Sequence, residues 1–285
     1  MAGMYSRTIT VFLAMVAGLV LVPAMALAEP LVIQYTEEDK LKTSLRWLDL
    51  RPSVIRPSGL AAAAVDRDVV PPAKAATLSA EKLGNYADAA IGKLLFVKPS
   101  GDAGSCTATF VATNNVLFTA ANCIINSEGV AHEDLIFISA YGSVAQQTYG
   151  INCVAMPSEW TTAQGADQWR HNYAFLRTAR TSTYGGLGLT NALVPKRLSQ
   201  AGFSDVIEDG LKMQRLDADA YMTKDGLVGT AYTGLGGATS GNPWLRNSII
   251  YSISSHYDSE YPSILLGPRI TSDTMTLLNR MRKGC

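Results

Sequence analysis

Apolar and polar positions change their rhythm along this chain. Between residues 91 and 254, short runs rich in Val, Ile, Leu, Phe and Tyr recur, each bounded by Gly, Asn, Ser or Pro: residues 93–97, 106–112, 116–121, 135–141, 151–156, 173–177, 199–203, 213–221, 227–232 and 249–254. Runs this short, punctuated by turn formers, predict strands, and so many of them argue for an all-β sandwich or a pair of barrels. The last stretch departs from that pattern. Ser272 and Asp273 are N-capping types, Met275, Leu278 and Met281 follow at helical spacing, and Arg280, Arg282 and Lys283 stand where a helix C-terminus favours cations. A terminal α-helix is predicted there. Before residue 91 the texture differs again. Leu41, Leu45 and Leu48 recur at i, i+4 and i+7 and predict a short amphipathic helix, whereas Pro52, Pro57, the alanines at 61–64 and Pro71-Pro72 read as a linker. Residues 29–88 are therefore expected to form a pro-segment or flexible arm.

The first 28 residues have the pattern of a secretory signal. Arg7 supplies the positive end, residues 11–22 are apolar, and Ala26-Leu27-Ala28 places small residues where signal peptidase requires them, so cleavage is expected after Ala28. No later stretch approaches the about 18 consecutive apolar residues of a spanning helix, so no stable membrane anchor is expected. The destination would be secreted or periplasmic.

Charge narrows the partners. The chain carries 24 Lys+Arg and 24 Asp+Glu; losing Arg7 with residues 1–28 leaves 23 basic against 24 acidic groups, a net charge of −1. Without a basic excess or a Lys/Arg cluster there is no electrostatic footprint for nucleic acid. In an exported chain, Cys106, Cys123, Cys153 and Cys285 read first as disulfide formers. They show no C-x-x-C spacing, and His132, His171 and His256 have no zinc-ligand spacing, so no metal and no other cofactor are expected.

Three ordered segments resemble the first barrel of chymotrypsin-fold serine proteases, above all the bacterial and fungal glutamyl-endopeptidase-like branch. They are Ile91-Gly92-Lys93-Leu94-Leu95-Phe96, Cys106-Thr107-Ala108-Thr109-Phe110 and Leu117-Phe118-Thr119-Ala120-Ala121-Asn122-Cys123. In that family the last segment ends T-A-A/G-H-C. Asn172-Tyr173-Ala174-Phe175-Leu176 is similar to its D-Y-A-x-L segment, and Gly237-Ala238-Thr239-Ser240-Gly241-Asn242-Pro243-Trp244 to its G-G-x-S-G-G-P-W segment. The resemblance covers residues 88–285. It implies two packed six-stranded antiparallel β-barrels, residues 89–185 and 186–285, the second ending in the C-terminal helix. It also implies a disulfide between Cys106 and Cys123, and leaves a second bridge between Cys153 and Cys285 open.

The departures from the family pattern fall on the chemistry. Serine acyl transfer needs a hydroxyl, a base to take its proton, a carboxylate to orient that base, and N–H donors for the oxyanion. Ser240 keeps the nucleophile position, but Asn122 stands at the histidine position and Asn172 at the aspartate position. A carboxamide neither accepts a proton near neutral pH nor returns it to a leaving group. In the oxyanion loop Ala238 replaces a glycine, and Thr239 replaces the acidic residue that would pair with a freed N-terminal amine, so no such activation step is expected at Ile91-Gly92. Gly234 is not the aspartate of trypsin-type pockets. With Ser255 and His256 it lines the position of the specificity pocket, where glutamate-specific relatives keep a histidine. His171 adjoins Asn172, but in an extended segment it would face the opposite way.

The expected function is that of an exported protease homologue without peptidase activity, binding a peptide or protein in the inter-barrel cleft. The alternatives are an active serine endopeptidase using Ser240 with a non-standard base, and an inert scaffold whose function lies in the arm. The sequence says nothing of oligomeric state.

Overall fold

The computed structural model describes residues 28–50, 76–77, 86–203, 210–231, 240–257 and 264–285. The expected signal sequence up to residue 27, most of the linker, and the predicted site residues Gly234, Ala238 and Thr239 lie outside the described residues. The first half runs β1 (Leu31–Gln34), α1 (Glu37–Leu50), β2 (Ala76–Thr77), α2 (Tyr86–Ala89), β3 (Ile91–Val97), β4 (Ala103–Phe110), β5 (Val116–Thr119), β6 (Glu133–Ser139), β7 (Gln147–Met156), α3 (Glu159–Thr162), α4 (Gly165–Arg170) and β8 (Ala174–Thr178). The second half runs β9 (Gly188–Leu189), β10 (Arg197–Phe203), β11 (Met213–Met222), β12 (Leu227–Ala231), β13 (Pro243–Arg246), β14 (Ile249–Ile253), β15 (His256–Tyr257), β16 (Ile264–Pro268) and α5 (Ser272–Lys283).

Strands β3, β4, β5, β8, β7 and β6 pair antiparallel in that order, and β6 returns to β3, so the first barrel is closed. Closure leaves these six strands without edges, and their inward residues fill the interior. Phe110 packs edge-on against Phe137 and Tyr149, Phe118 stacks on Phe175, and all five rings are buried.

The second half forms a sheet in the order β15-β16-β12-β11-β10-β13-β14-β9, with β2 added beside β11. It curls until β14 meets β16: Ser252 Oγ donates to Pro268 O at 2.9 Å. There the two backbones touch so closely that a Cβ on Gly267 would lie 2.0 Å from Ile253 O. Lys93 joins the halves. Its side chain is wholly buried, with the ammonium 4.5 Å from the Tyr141 ring and 5.6 Å from the Phe203 ring, and burial lowers its pKa to about 8.

Within the segment expected to be a pro-segment or flexible arm, the described residues 28–50 include a strand and a helix that pack on the first barrel. β1 pairs antiparallel with β7, Leu31 opposite Met156 and Gln34 opposite Cys153. The predicted helix is present as α1, capped by a reciprocal pair in which Asp39 N donates to Thr36 Oγ1 and Thr36 N donates to Asp39 Oδ2. Its leucine stripe does not face the barrel: Leu41, Leu45 and Leu48 are 56–75% exposed, while Trp47 on another face is buried. The reason lies in what the opposite wall offers. Asp134 O accepts from Trp47 Nε1 at 2.6 Å, and Asp134 carboxylate oxygens accept from Thr43 and Arg46. One indole buries a large apolar surface while satisfying its N–H, which a leucine row on that face could not do for these polar groups.

The C-terminal helix lies where the sequence places it, but its N-cap is Thr271 rather than Ser272 or Asp273, because Thr271 and Thr274 cap each other reciprocally. Leu277, Leu278 and Met281 are buried, Met275 only partly. At the far end Arg177 Nη1 donates to Met281 O at 2.8 Å, and Cys285 is bridged to Cys153 on β7. The second disulfide, open in the sequence, therefore exists and ties the terminal helix to the first barrel. Cys106 and Cys123 form the other, as the resemblance implies.

Candidate active-site cleft

Three turns bring the predicted residues together. Asn122 sits in a 3-10 turn, residues Ala121–Cys123, directly after β5, and the Cys106–Cys123 disulfide fastens that turn to β4. Asn172 lies between α4 and β8, at the point where the segment enters the barrel wall. Ser240 precedes β13. Its carbonyl accepts from Thr107 N at 3.0 Å, and Gly241 N donates to Ser254 O at 2.8 Å, which locks the serine between the two halves. Gly241 has φ of +87°, and a Cβ there would meet Thr107 O at 2.1 Å, so this position requires glycine both for conformation and for space.

The side chains form a connected chain of hydrogen bonds. Asn122 Nδ2 is 3.0 Å from Ser240 Oγ, and Ser240 Oγ is 3.3 Å from Ser255 O. Asn122 N donates to Asn172 Oδ1 at 2.9 Å, and Asn172 Nδ2 donates to Ser255 Oγ at 2.7 Å. Ser255 Oγ lies 3.1 Å from His256 Nδ1. Asn172, Ser240 and Ser255 are each no more than 3% exposed. The structure thus gathers five of the predicted residues, Asn122, Asn172, Ser240, Ser255 and His256, in one hydrogen-bonded network, of which Asn172, Ser240 and Ser255 are buried and Asn122 and His256 half-buried.

Its chemistry follows from the directions. Ser255 O can only accept, so the Ser240 hydroxyl proton is directed to a backbone carbonyl, and Ser240 Oγ receives an N–H from Asn122. A nucleophilic serine needs the reverse arrangement, its proton given to a base. Neither partner of Ser240 Oγ is a base.

Two other histidines lie near but outside this network. His171 Nδ1 is 2.9 Å from Asp167 O, and the ring lines a separate cavity of about 150 Å³ with Glu159, Tyr173 and Asp273. Burial pushes the Tyr173 hydroxyl in that wall up to about 12. His132 stacks on Phe96 at 4.4 Å and its Nε2 is 3.2 Å from Asn122 O, so it backs the 3-10 turn from behind; burial lowers its pKa. Among the described residues no three His, Cys, Asp or Glu side chains are placed to hold a metal ion.

One wall residue has no sequence signal. Trp169 on α4 stacks on His256, centroids 4.0 Å apart and planes 19° apart, and Trp160 on α3 lies 5.5 Å behind it. A lone aromatic in a polar helical segment carries no motif. Only the packing of α4 against the second half reveals it.

No protein-family model and no curated protein sequence matches the chain. Solved structures do. A thermostable serine protease from an extremophilic microorganism superposes with a TM-score of 0.60 at 20% identity, over 70% of this chain and 99% of that one. A Glu endopeptidase matches with 0.57 at 15% identity, over 81% and 99%. An inactivated protease paralogue of the scabies mite matches with 0.53 at 11% identity, over 70% and 97%. At these identities the likeness establishes the fold, and that fold is the chymotrypsin-like one.

Proposed function

We propose that this chain is an exported protease homologue that does not cleave peptides and instead binds an extended peptide or protein segment in the cleft between its two halves. The observation that carries this reading is the Ser240 hydroxyl: it accepts from Asn122 Nδ2 and donates to Ser255 O, and neither of these partners is a base. A carboxamide has no lone pair basic near neutral pH, whichever way it is turned. A groove shaped for strand addition and a side-chain pocket retains its shape when its base is lost, so recognition outlives chemistry. Two disulfides suit an extracellular or periplasmic setting.

The competing reading, an active endopeptidase with a non-standard base, requires an imidazole or amine that reaches Ser240 Oγ. The His256 ring meets Ser255 Oγ instead. A fluorophosphonate probe decides between the two, read by intact mass. The expected outcome is no adduct on the unmodified protein and a Ser240 adduct on the Asn122→His/Asn172→Asp variant, with a reactivity difference on the order of 10⁴ or more. An adduct on the unmodified protein that disappears in Ser240→Ala would restore the enzyme reading.

A further inference from the structure

The His132 side chain meets the cleft through a backbone carbonyl, and that fixes its proton. A backbone C=O only accepts, so Nε2, 3.2 Å from Asn122 O, carries a hydrogen. The other ring nitrogen, Nδ1, is buried and has no hydrogen-bond partner among the described residues. A second proton there would be a buried N–H, and a charge, with nothing to receive it. Stacking on Phe96, itself buried, holds the ring in this place, centroids 4.4 Å apart and planes 12° apart. Burial lowers the pKa of the ring, the bond to Asn122 O acts the other way, and the Lys98 ammonium just beyond β3 adds to the lowering. Of the carboxylates on the neighbouring elements, Glu133 and Asp134 on β6 are turned to Arg46, Asp102 on the turn before β4 accepts from Ser100, and Glu128 is exposed. At neutral pH the ring is therefore uncharged, with its one proton on Nε2.

We infer that His132 is a positioning residue for the cleft: its Nε2–H holds the Asn122 carbonyl from behind, only the uncharged ring fits that place, and acid therefore loosens the residue that faces both Ser240 and Asn172. The carbonyl it holds belongs to the residue whose N–H meets Asn172 Oδ1 at 2.9 Å and whose Nδ2 lies 3.0 Å from Ser240 Oγ. The surrounding backbone is fastened by groups that do not titrate: Cys123 by its disulfide to Cys106, and Ile124 O by the N–H of His132 at 2.7 Å. The change is thus confined to Asn122 and the ring. A ring turned out into water has the ordinary pKa of about 6.5, and the stacked ring a lower one. Above about pH 6.5 both are uncharged and the stacked position keeps its full advantage. As pH falls towards the pKa of the stacked ring that advantage shrinks, by up to about tenfold in equilibrium constant per pH unit, and below that pKa it shrinks no further. On the binding-cleft reading above, acid would then release what the cleft holds.

The test is an NMR titration of ¹⁵N-labelled protein from about pH 8 to about pH 4.5, with the His132 ring assigned by its contact with Phe96 and by its absence in His132→Gln. The expected result is the Nε2–H tautomer at the start and a midpoint below about 6.5. The backbone and side-chain amide signals of Asn122 should move with that same midpoint, and the Asn122 N–H should lose exchange protection. His132→Gln, whose amide donates to a carbonyl and does not titrate, should keep the protection at neutral pH and show no step. Relative to that variant, exchange at Asn122 should quicken in acid by about tenfold for each unit by which the midpoint lies below 6.5. His132→Phe, which keeps the stack but has no donor, should lose protection at every pH. A midpoint at or above 6.5, an Nδ1–H tautomer, Asn122 signals unmoved as His132 protonates, or a step that persists in His132→Gln would each overturn the inference. Fluorophosphonate labelling of unmodified Ser240 would sink the binding reading and leave the His132 step standing, so the two failures are distinct.

Discussion

The anchor of α1 and the cleft both satisfy polar groups at the wall of the first barrel, and they do so in opposite ways. At the anchor, Asp134 takes Arg46 on one carboxylate oxygen at 2.6 Å and Thr43 on the other at 3.0 Å, with Trp47 on its carbonyl. Charge is used there because water still reaches it: the Arg46 side chain is 40% exposed. In the cleft, where Asn172, Ser240 and Ser255 are almost wholly buried, amides and hydroxyls stand in place of charged groups. A carboxylate at 172 facing Asn122 would be a buried charge without a counter-ion, whereas an amide of the same shape accepts from Asn122 N and donates to Ser255 with no charge at all. With a carboxamide rather than a cation-forming side chain at 122, an amide at 172 avoids that buried charge.

That contrast can be broken most severely at Asn172. In Asn172→Asp the buried carboxyl should have its pKa raised above its unfolded value of about 3.9, so it is neutral and harmless at low pH. The penalty then grows by about 1.4 kcal/mol per pH unit, reaching at most about 4 kcal/mol at pH 7. Urea unfolding from pH 4 to 8 measures this, and Asn122→His in the same chain should recover part of the loss. A stability independent of pH would mean the cleft tolerates charge and would undo the comparison. At the anchor, Trp47→Ala should cost about 3 kcal/mol and release the strand it holds, seen as faster amide exchange at residues 31–34 relative to the barrel. Exchange unchanged there would mean that the β1 to β7 pairing holds the segment alone. The smallest effect belongs to Asp134→Asn, which keeps a residue type that tolerates the positive φ of 53° at this position but removes the ion pair. It should cost about 1 kcal/mol, shrinking as salt is raised, because a half-exposed pair is screened.

Much of the architecture was legible because strands announce themselves locally. The runs at 93–97, 135–141 and 213–221 all fall on β3, β6 and β11, since β-branched and aromatic residues between turn formers leave few alternatives. β13 and β16 were missed for an equally local reason: each is short and carries a proline at one end, which argues against a strand when neighbours are unseen. The helix α1 was legible as a helix, but not the face it buries. Periodicity marks Leu41, Leu45 and Leu48, whereas the docking face is chosen by Asp134, 87 residues from Trp47. Trp169 was invisible for the same reason, because its significance is the ring it covers and not its place in a pattern.

The sequence by itself determined which atoms stand at each position of the cleft: a hydroxyl at 240, carboxamides at 122 and 172, an imidazole at 256, and cysteines suited to bridging. From these alone follows the absence of a base at 122, since basicity belongs to the side chain's own chemistry. Only the tertiary structure decided which end of each amide donates and which accepts. An asparagine carries both faces, and the choice at 172 is made by a backbone N–H 50 residues away and a hydroxyl 83 residues away, partners that no local pattern can name.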